Sequence, residues 1–159
     1  MPGQTPHAII ENRTKKKLAA GELALCMAVN QMRSPDVAMI AAACGFDAIF
    51  VDLEHSPLTL ESASAICVAA LLAGITPIAR VSSQSPIDIA RILDTGAQGV
   101  MVPHIDTVAE AKAVVRACRF PPLGMRSAFG VGPTLAYRAT PQTVVNEELN
   151  RQVLLMAML

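Results

Sequence analysis

The stretch F-D-A-I-F-V-D-L-E-H-S-P, Phe46 to Pro57, decides how the chain is read. Ala48 to Val51 is an apolar run of strand length, and it ends abruptly in Asp52, Glu54 and His55 before Ser56-Pro57, a dipeptide suited to opening a helix. Strand, titratable cluster, then helix is the order in which α/β folds place a site, because ligands bind outside the carboxyl ends of parallel strands.

The flanking sequence repeats this order. Upstream, Leu23 to Val29 has strand length, and Ser34 before Pro35 predicts a helix that runs to Ala43 and stops at Gly45. Earlier still, Ile10, Thr14 and Leu18 recur at helical spacing from His7 onward, with Gly21 as the cap, and residues 1–6 predict a loose tail. Downstream, a helix from Thr59 to Ala73 closes at Gly74, and strand Thr76 to Val81 leads to a helix opened by Ser85-Pro86 that ends near Gly96. Strand Gly99 to Val102 precedes a helix from Thr107 to Arg119, whose Thr107-x-x-Glu110 is a capping-box pattern. Phe120 to Pro133 is rich in Gly and Pro and predicts a long loop; a short helix over Pro141 to Leu149 and a strand over Val153 to Leu159 follow. Strands apolar on both faces, alternating with helices at roughly 25-residue spacing, predict β/α units around a covered parallel sheet.

Composition narrows the function. Apolar residues make up 52% of the chain, enough for an extensive core, yet Val37 to Phe46 and Ala65 to Ile75 each reach only about half of the roughly 20 residues a membrane span needs. Thirteen basic and thirteen acidic residues cancel, there is no Trp and there is one Tyr, so the charge and stacking surfaces of a nucleic-acid binder are absent. Cys26, Cys44, Cys67 and Cys118 are widely spaced within apolar segments, which predicts small buried hydrophobes in a reducing compartment. Lys15 to Lys17 is not followed by an export-type apolar region, so a cytoplasmic location is expected.

The strand ends supply the candidate chemistry: Asp52, Glu54 and His55 after the second strand, Arg80 at the end of the third, His104 after the fourth, and Arg126 in the long loop. Arginine recognises a carboxylate or enolate oxygen in a planar fork, and histidine moves protons near neutral pH, so the set suits a carboxylate-bearing substrate. Plainer readings stand beside this one. Asp52 and Glu54 would serve as helix-entry carboxylates, His55 and His104 as loop histidines, and Arg126 as a tie for its loop. Arg80 is harder to explain structurally, because an arginine at a strand end must find an anion. G-V-G-P, Gly130 to Pro133, neither follows a strand nor opens a marked helix and is discounted as a phosphate loop.

Four of these segments, in order and at matching spacing, resemble the class II pyruvate aldolases of the HpcH/HpaI family. They are G-F-D-A-I-F-V-D-L-E-H-S-P (Gly45 to Pro57), A-R-V (Ala79 to Val81), I-L-D-T-G-A-Q-G-V-M-V-P-H (Ile92 to His104) and R-F-P-P-L-G-M-R-S (Arg119 to Ser127). The resemblance implies a (β/α)8 TIM barrel, of which residues 1–159 carry the first four units and a fifth strand as one incomplete domain. It implies a carbon–carbon lyase that reversibly cleaves 4-hydroxy-2-oxo acids to pyruvate and an aldehyde through a metal-stabilised enolate.

Carried onto this chain, His55 becomes the acid/base, working with Asp52 through metal-bound water. Arg80 becomes the clamp on the keto or enolate oxygen, and Glu54, His104 and Arg126 line the substrate site. The implied cofactor is a divalent ion, Mg²⁺, Mn²⁺ or similar. Its family ligands follow the fifth and sixth strands, so they are expected beyond Leu159, and this stretch alone is expected to be an inactive portion of a longer enzyme. The expected partners are a small 2-oxo acid, an aldehyde and further copies in a homo-oligomer, with neither nucleic acid nor membrane. The alternatives are a citrate-lyase-like enzyme acting on an acyl thioester and a non-catalytic half-barrel that acts through association.

Overall fold

Each strand's neighbour in space is its neighbour in sequence. The computed structural model describes residues 9–128 and 130–159, and these form a five-stranded parallel sheet in the order β1-β2-β3-β4-β5. The strands are β1 (Cys26–Val29), β2 (Ala48–Asp52), β3 (Thr76–Arg80), β4 (Gly99–Val102) and β5 (Leu154–Ala157). A sheet that never reverses its order has no topological switch point, so it is built like part of a barrel wall and not like a doubly wound sheet. The expected tail over residues 1–6 lies outside the described residues; the helix expected from His7 begins only at Arg13, because the Asn12 side chain caps it there, and Ile10 precedes it in irregular chain.

Four helices cover one face of the sheet: α2 (Asp36–Ala43), α3 (Leu60–Ala73), α4 (Pro86–Asp94) and α5 (Val108–Cys118). In α3 the buried positions are Ala63, Ile66, Cys67, Ala70 and Leu71, the i, i+3, i+4, i+7, i+8 stripe of a core-facing helix. Small residues in that stripe let the helix lie close to Ile49, Val51 and Ala79, which point to it from β2 and β3 and are fully buried. Helix boundaries follow from capping. Thr59 accepts the amide of Ser62 at 3.2 Å, Gly74 ends α3 in the left-handed conformation, and Thr107 and Glu110 form the expected capping box on α5.

The first helix, α1 (Arg13–Ala19), lies at the amino ends of the strands. Its cap residue Asn12 is buried and reaches the carbonyls of Gln98 and Gln152, both at 3.0 Å, while Thr14 bonds Thr76 and the carbonyl of Asp47. The last helix, α6 (Gln142–Gln152), runs three residues past the expected end because Asn150 is tied by its side chain to both backbone groups of Phe120. Among the described residues, 120–128 and 130–132 form neither helix nor strand, and a 3-10 turn follows at Pro133–Leu135. Gly124 anchors the loop. A Cβ there would lie 2.3 Å from the Arg119 carbonyl oxygen and 2.4 Å from that of Arg116, which hold the amides of Arg126 and Met125.

Three expectations are corrected. Ser34 makes no side-chain cap on α2; Pro35 occupies the cap position and brings no donor-accepting side chain. Ser56-Pro57 does not open α3, since the Ser56 hydroxyl donates to the Asp52 carbonyl and accepts the Leu58 amide, which folds the chain into a turn before Thr59 takes the cap. All four cysteines are free, but only Cys67 and Cys118 are buried; Cys44 ends α2 at the surface, and Cys26 faces the side of the sheet that the helices leave open.

That open face positions the site. Ala28, Phe50, Ile78, Met101 and Met156 line an apolar groove of about 380 Å³ along it. Strand alternation then puts Asp52, two residues beyond Phe50, and Arg80, two beyond Ile78, on the same face at its carboxyl edge.

Candidate active site

Asp52 and Arg80 are register partners on adjacent strands, each the last residue of its own strand. The guanidinium closes a fork on the carboxylate, with Nε donating to Oδ1 at 2.9 Å and Nη2 to Oδ2 at 2.6 Å, and its carbon lies 5.9 Å from the centre of the Phe50 ring. Asp52 Oδ1 also accepts the amides of Glu54 at 3.0 Å and His55 at 3.3 Å, so this carboxylate shapes the turn that follows its own strand. The Arg80 hydrogen bond holds the Asp52 carboxyl at about 2, below its ordinary 3.8, against the opposing effect of burial and with further help from the two amides. The same hydrogen bond raises Arg80.

Glu54 sits at the centre of the cluster. Its side chain is only 9% exposed, with Oε1 at 3.1 Å from His104 Nε2 and Oε2 at 3.2 Å from Arg80 Nε and 3.7 Å from His55 Nε2. Buried Oε2 accepts no hydrogen bond, because the Arg80 Nε–H is directed at Asp52. The two imidazoles are open to solvent, 72% exposed for His55 and 78% for His104, above a floor of buried carboxylates. His104 has φ +57°, which is uncommon outside glycine, and its carbonyl accepts a hydrogen bond from Gln84 Nε2. Gln84 is a support that sequence reading passed over, since its S-S-Q-S-P context marked only a helix entry.

Five of the six candidates therefore converge, and the helix-entry reading of Asp52 and Glu54 gives way, because both side chains turn to Arg80 and Thr59 caps α3. Arg126 is elsewhere. It is buried, bonds Asp94 at 2.6 Å, stacks 4.6 Å from the Phe120 ring and lines a small cavity with Gln98 and Val153. Gln98 and Val153 precede β4 and β5, so Arg126 sits at the amino ends of the strands, a strand length from the cluster, where it ties its loop to α4. Asp52 gives its oxygens to Arg80 and to backbone amides while the His55 ring faces Glu54; the cooperation expected between His55 and Asp52 runs through metal-bound water and does not require their side chains to touch.

The carboxylates of this cluster do not make a metal site. Both Asp52 oxygens are taken by Arg80, Glu54 is shared among Arg80 and two imidazoles, and no group of three or more His, Cys, Asp or Glu side chains among the described residues could hold an ion.

A sequentially ordered parallel sheet with titratable groups at its carboxyl edge and helices on its outer face defines the β/α-barrel class. Within that class the chain belongs to the HpcH/HpaI aldolase/citrate lyase family, whose profile matches residues 27–159. It is 48% identical over 130 residues to a 4-hydroxy-4-methyl-2-oxoglutarate aldolase of Chaetomium globosum, a match that covers 81% of this chain and 48% of the relative. It is 42% identical over 142 residues to an aldolase of the same name from Hapsidospora irregularis, covering 89% of this chain and 53% of that one. The crystal structure of an HpcH/HpaI aldolase from Desulfitobacterium hafniense superimposes with a TM-score of 0.84 at 29% identity, over 90% of this chain and 55% of that one. The chain spans about half the length of the curated relatives it matches.

Proposed function

We propose that these residues supply the oxygen-clamping and proton-handling side of the active site of a lyase that reversibly cleaves 4-hydroxy-2-oxo acids, releasing pyruvate. The observation that supports it is the Arg80 fork, a half-buried guanidinium fixed at the carboxyl edge of a barrel-type sheet by Asp52 and Glu54, with two exposed imidazoles beside it. In the retro-aldol reaction the C3–C4 bond breaks and its electron pair passes to the C2 oxygen as an enolate. A fixed guanidinium stabilises charge that develops there and needs no reorganisation as it does so. His55, open to solvent beside the clamp, exchanges the proton at C3 of the enolate, and Glu54 Oε2 is placed to compensate the charge on its ring.

The relatives refine the substrate. Both bear the name of 4-hydroxy-4-methyl-2-oxoglutarate, whose cleavage between C3 and C4 gives two molecules of pyruvate, so the second product of this reading is a keto acid. A divalent ion, Mg²⁺ or Mn²⁺ or similar, completes the proposal and would supply a Lewis acid for the pyruvate oxygens. Assembly into a homo-oligomer and a cytoplasmic location remain parts of the proposal, and among the described residues no helix is long and apolar enough to cross a membrane.

The test is deuterium incorporation at C3 of pyruvate in D₂O by the full-length protein with added Mg²⁺ or Mn²⁺. The proposal expects exchange that is lost in His55→Ala and Arg80→Ala. An Arg80→Ala protein with full exchange contradicts the role given to that residue.

A further inference from the structure

We infer that His104, positioned by Glu54, is a second proton-handling group, and that it acts on the C4 oxygen of the substrate while His55 serves C3. The inference rests on the aldolase reading above and divides its chemistry between two imidazoles.

The geometry that supports it is a shared carboxylate. Glu54 is nearly buried and presents one oxygen to each ring, Oε1 to His104 at 3.1 Å and Oε2 to His55 at 3.7 Å. A carboxylate at one ring nitrogen fixes the tautomer, so with Nε2–H donated to Glu54 the Nδ1 lone pair of His104 is the one that takes a proton. The carboxylate then stabilises the imidazolium that results, as the acid does in a catalytic triad. The backbone of His104 is held for this purpose. The residue occupies the left-handed region at φ +57°, and its carbonyl is fixed by Gln84 from the loop after β3. A side chain that served only to end β4 would need neither the strained backbone nor a buried carboxylate partner.

The reaction needs two such groups. In cleavage, the C4 hydroxyl proton goes to His104 Nδ1, the O–H electron pair forms the C4=O bond, and the C3–C4 pair moves to the enolate held by Arg80. A proton from His55 then closes the C3–H bond, and both imidazoles return to their starting state through solvent, to which they are open. Proton exchange on pyruvate alone uses only the C3 half of this sequence. Cleavage uses both halves.

The two half-reactions can therefore be separated. In the full-length protein with its divalent ion supplied, cleavage of 4-hydroxy-4-methyl-2-oxoglutarate is compared with C3 exchange of pyruvate for wild type, His104→Asn and Glu54→Gln. Asparagine tolerates the left-handed backbone but its amide neither takes up nor releases a proton near neutral pH, so His104→Asn keeps the turn and removes the acid–base chemistry. General acid–base catalysis contributes about 10²- to 10⁴-fold, so kcat for cleavage in His104→Asn is expected to fall at least about 30-fold further than exchange does. Glu54→Gln, which touches both rings, is expected to lower both rates. Equal losses in cleavage and exchange for His104→Asn overturn the inference and leave the aldolase reading standing. A wild-type protein that performs neither reaction overturns both.

Discussion

Arg80 and Asp52 close a two-pronged contact across adjacent strands, 2.9 Å at Nε and 2.6 Å at Nη2, at the point where the sheet gives way to the loops. The pair is structural and functional together, because the carboxylate that orients the clamp also folds the turn carrying Glu54 and His55. Asp52→Ala leaves a guanidinium that is 16% exposed facing Glu54 alone and removes two acceptor contacts from the turn. A loss of about 3 kcal/mol in unfolding free energy is expected from urea denaturation of the full-length protein. Arg80→Lys is expected to fare little better in exchange activity than Arg80→Ala, since an ammonium cannot reproduce the fork.

The same pair sets an acid limit. Asp52 sits at about 2 in the folded protein against an ordinary 3.8, so its contribution is fully present above the ordinary value and is lost as pH falls through the folded one. The shift corresponds to about 2 kcal/mol. Unfolding free energies measured from pH 6 down to pH 2 should show this loss in wild type, and Asp52→Asn should flatten that part of the curve. An unchanged slope in the variant would assign the acid sensitivity to other carboxylates.

Gly124 is required by space and not by torsion. A β-carbon there meets two carbonyl oxygens at 2.3 and 2.4 Å, and both belong to backbone at the end of α5 that cannot withdraw. Gly124→Ala is expected to cost at least about 2 kcal/mol and to loosen the 120–128 segment, read as a gain in amide hydrogen exchange at Met125 and Arg126.

Asn12 is the corresponding point at the amino ends of the strands. Its side chain donates to the carbonyls of Gln98 and Gln152 and accepts the Lys15 amide at 2.9 Å, joining α1, the entry to β4 and the end of α6. Asn12→Ala removes one of the two donors to the Gln98 carbonyl, which keeps the Leu154 amide at 3.0 Å, removes the side-chain donor to the Gln152 carbonyl and deletes a helix cap, so a loss of about 2 kcal/mol in thermal or chemical unfolding is expected. Asn12→Asp, which keeps the cap but cannot donate, should lose a comparable amount.

The alternation of strands and helices was legible because most elements carry their own punctuation: Ser85 and Thr107 as caps, Gly45, Gly74 and Gly96 as stops, and unbroken apolar runs for covered strands. Convergence of Asp52, Glu54, His55, Arg80 and His104 was legible too, because in a parallel sheet every strand end lies on one edge. Pairings within that edge were not. Whether His55 faces Asp52 or Glu54 depends on the turn that Asp52 and Ser56 build, and that turn is set by side-chain hydrogen bonds with no periodic signature. Arg126 misled for a similar reason. Its loop follows α5 back at the amino ends of the strands, and only the Asp94 and Phe120 contacts reveal where the loop lies.

The central claim is that this cluster handles the pyruvate half of an aldol reaction, and the most direct measurement is deuterium exchange at C3 of pyruvate followed by proton NMR. The full-length protein with Mn²⁺ or Mg²⁺ should exchange pyruvate protons, stop when the ion is removed by chelation, and lose at least about 100-fold in rate in both His55→Ala and Arg80→Ala. Exchange that persists undiminished in both variants, or a wild-type protein that exchanges no pyruvate protons with either ion present, would contradict the account.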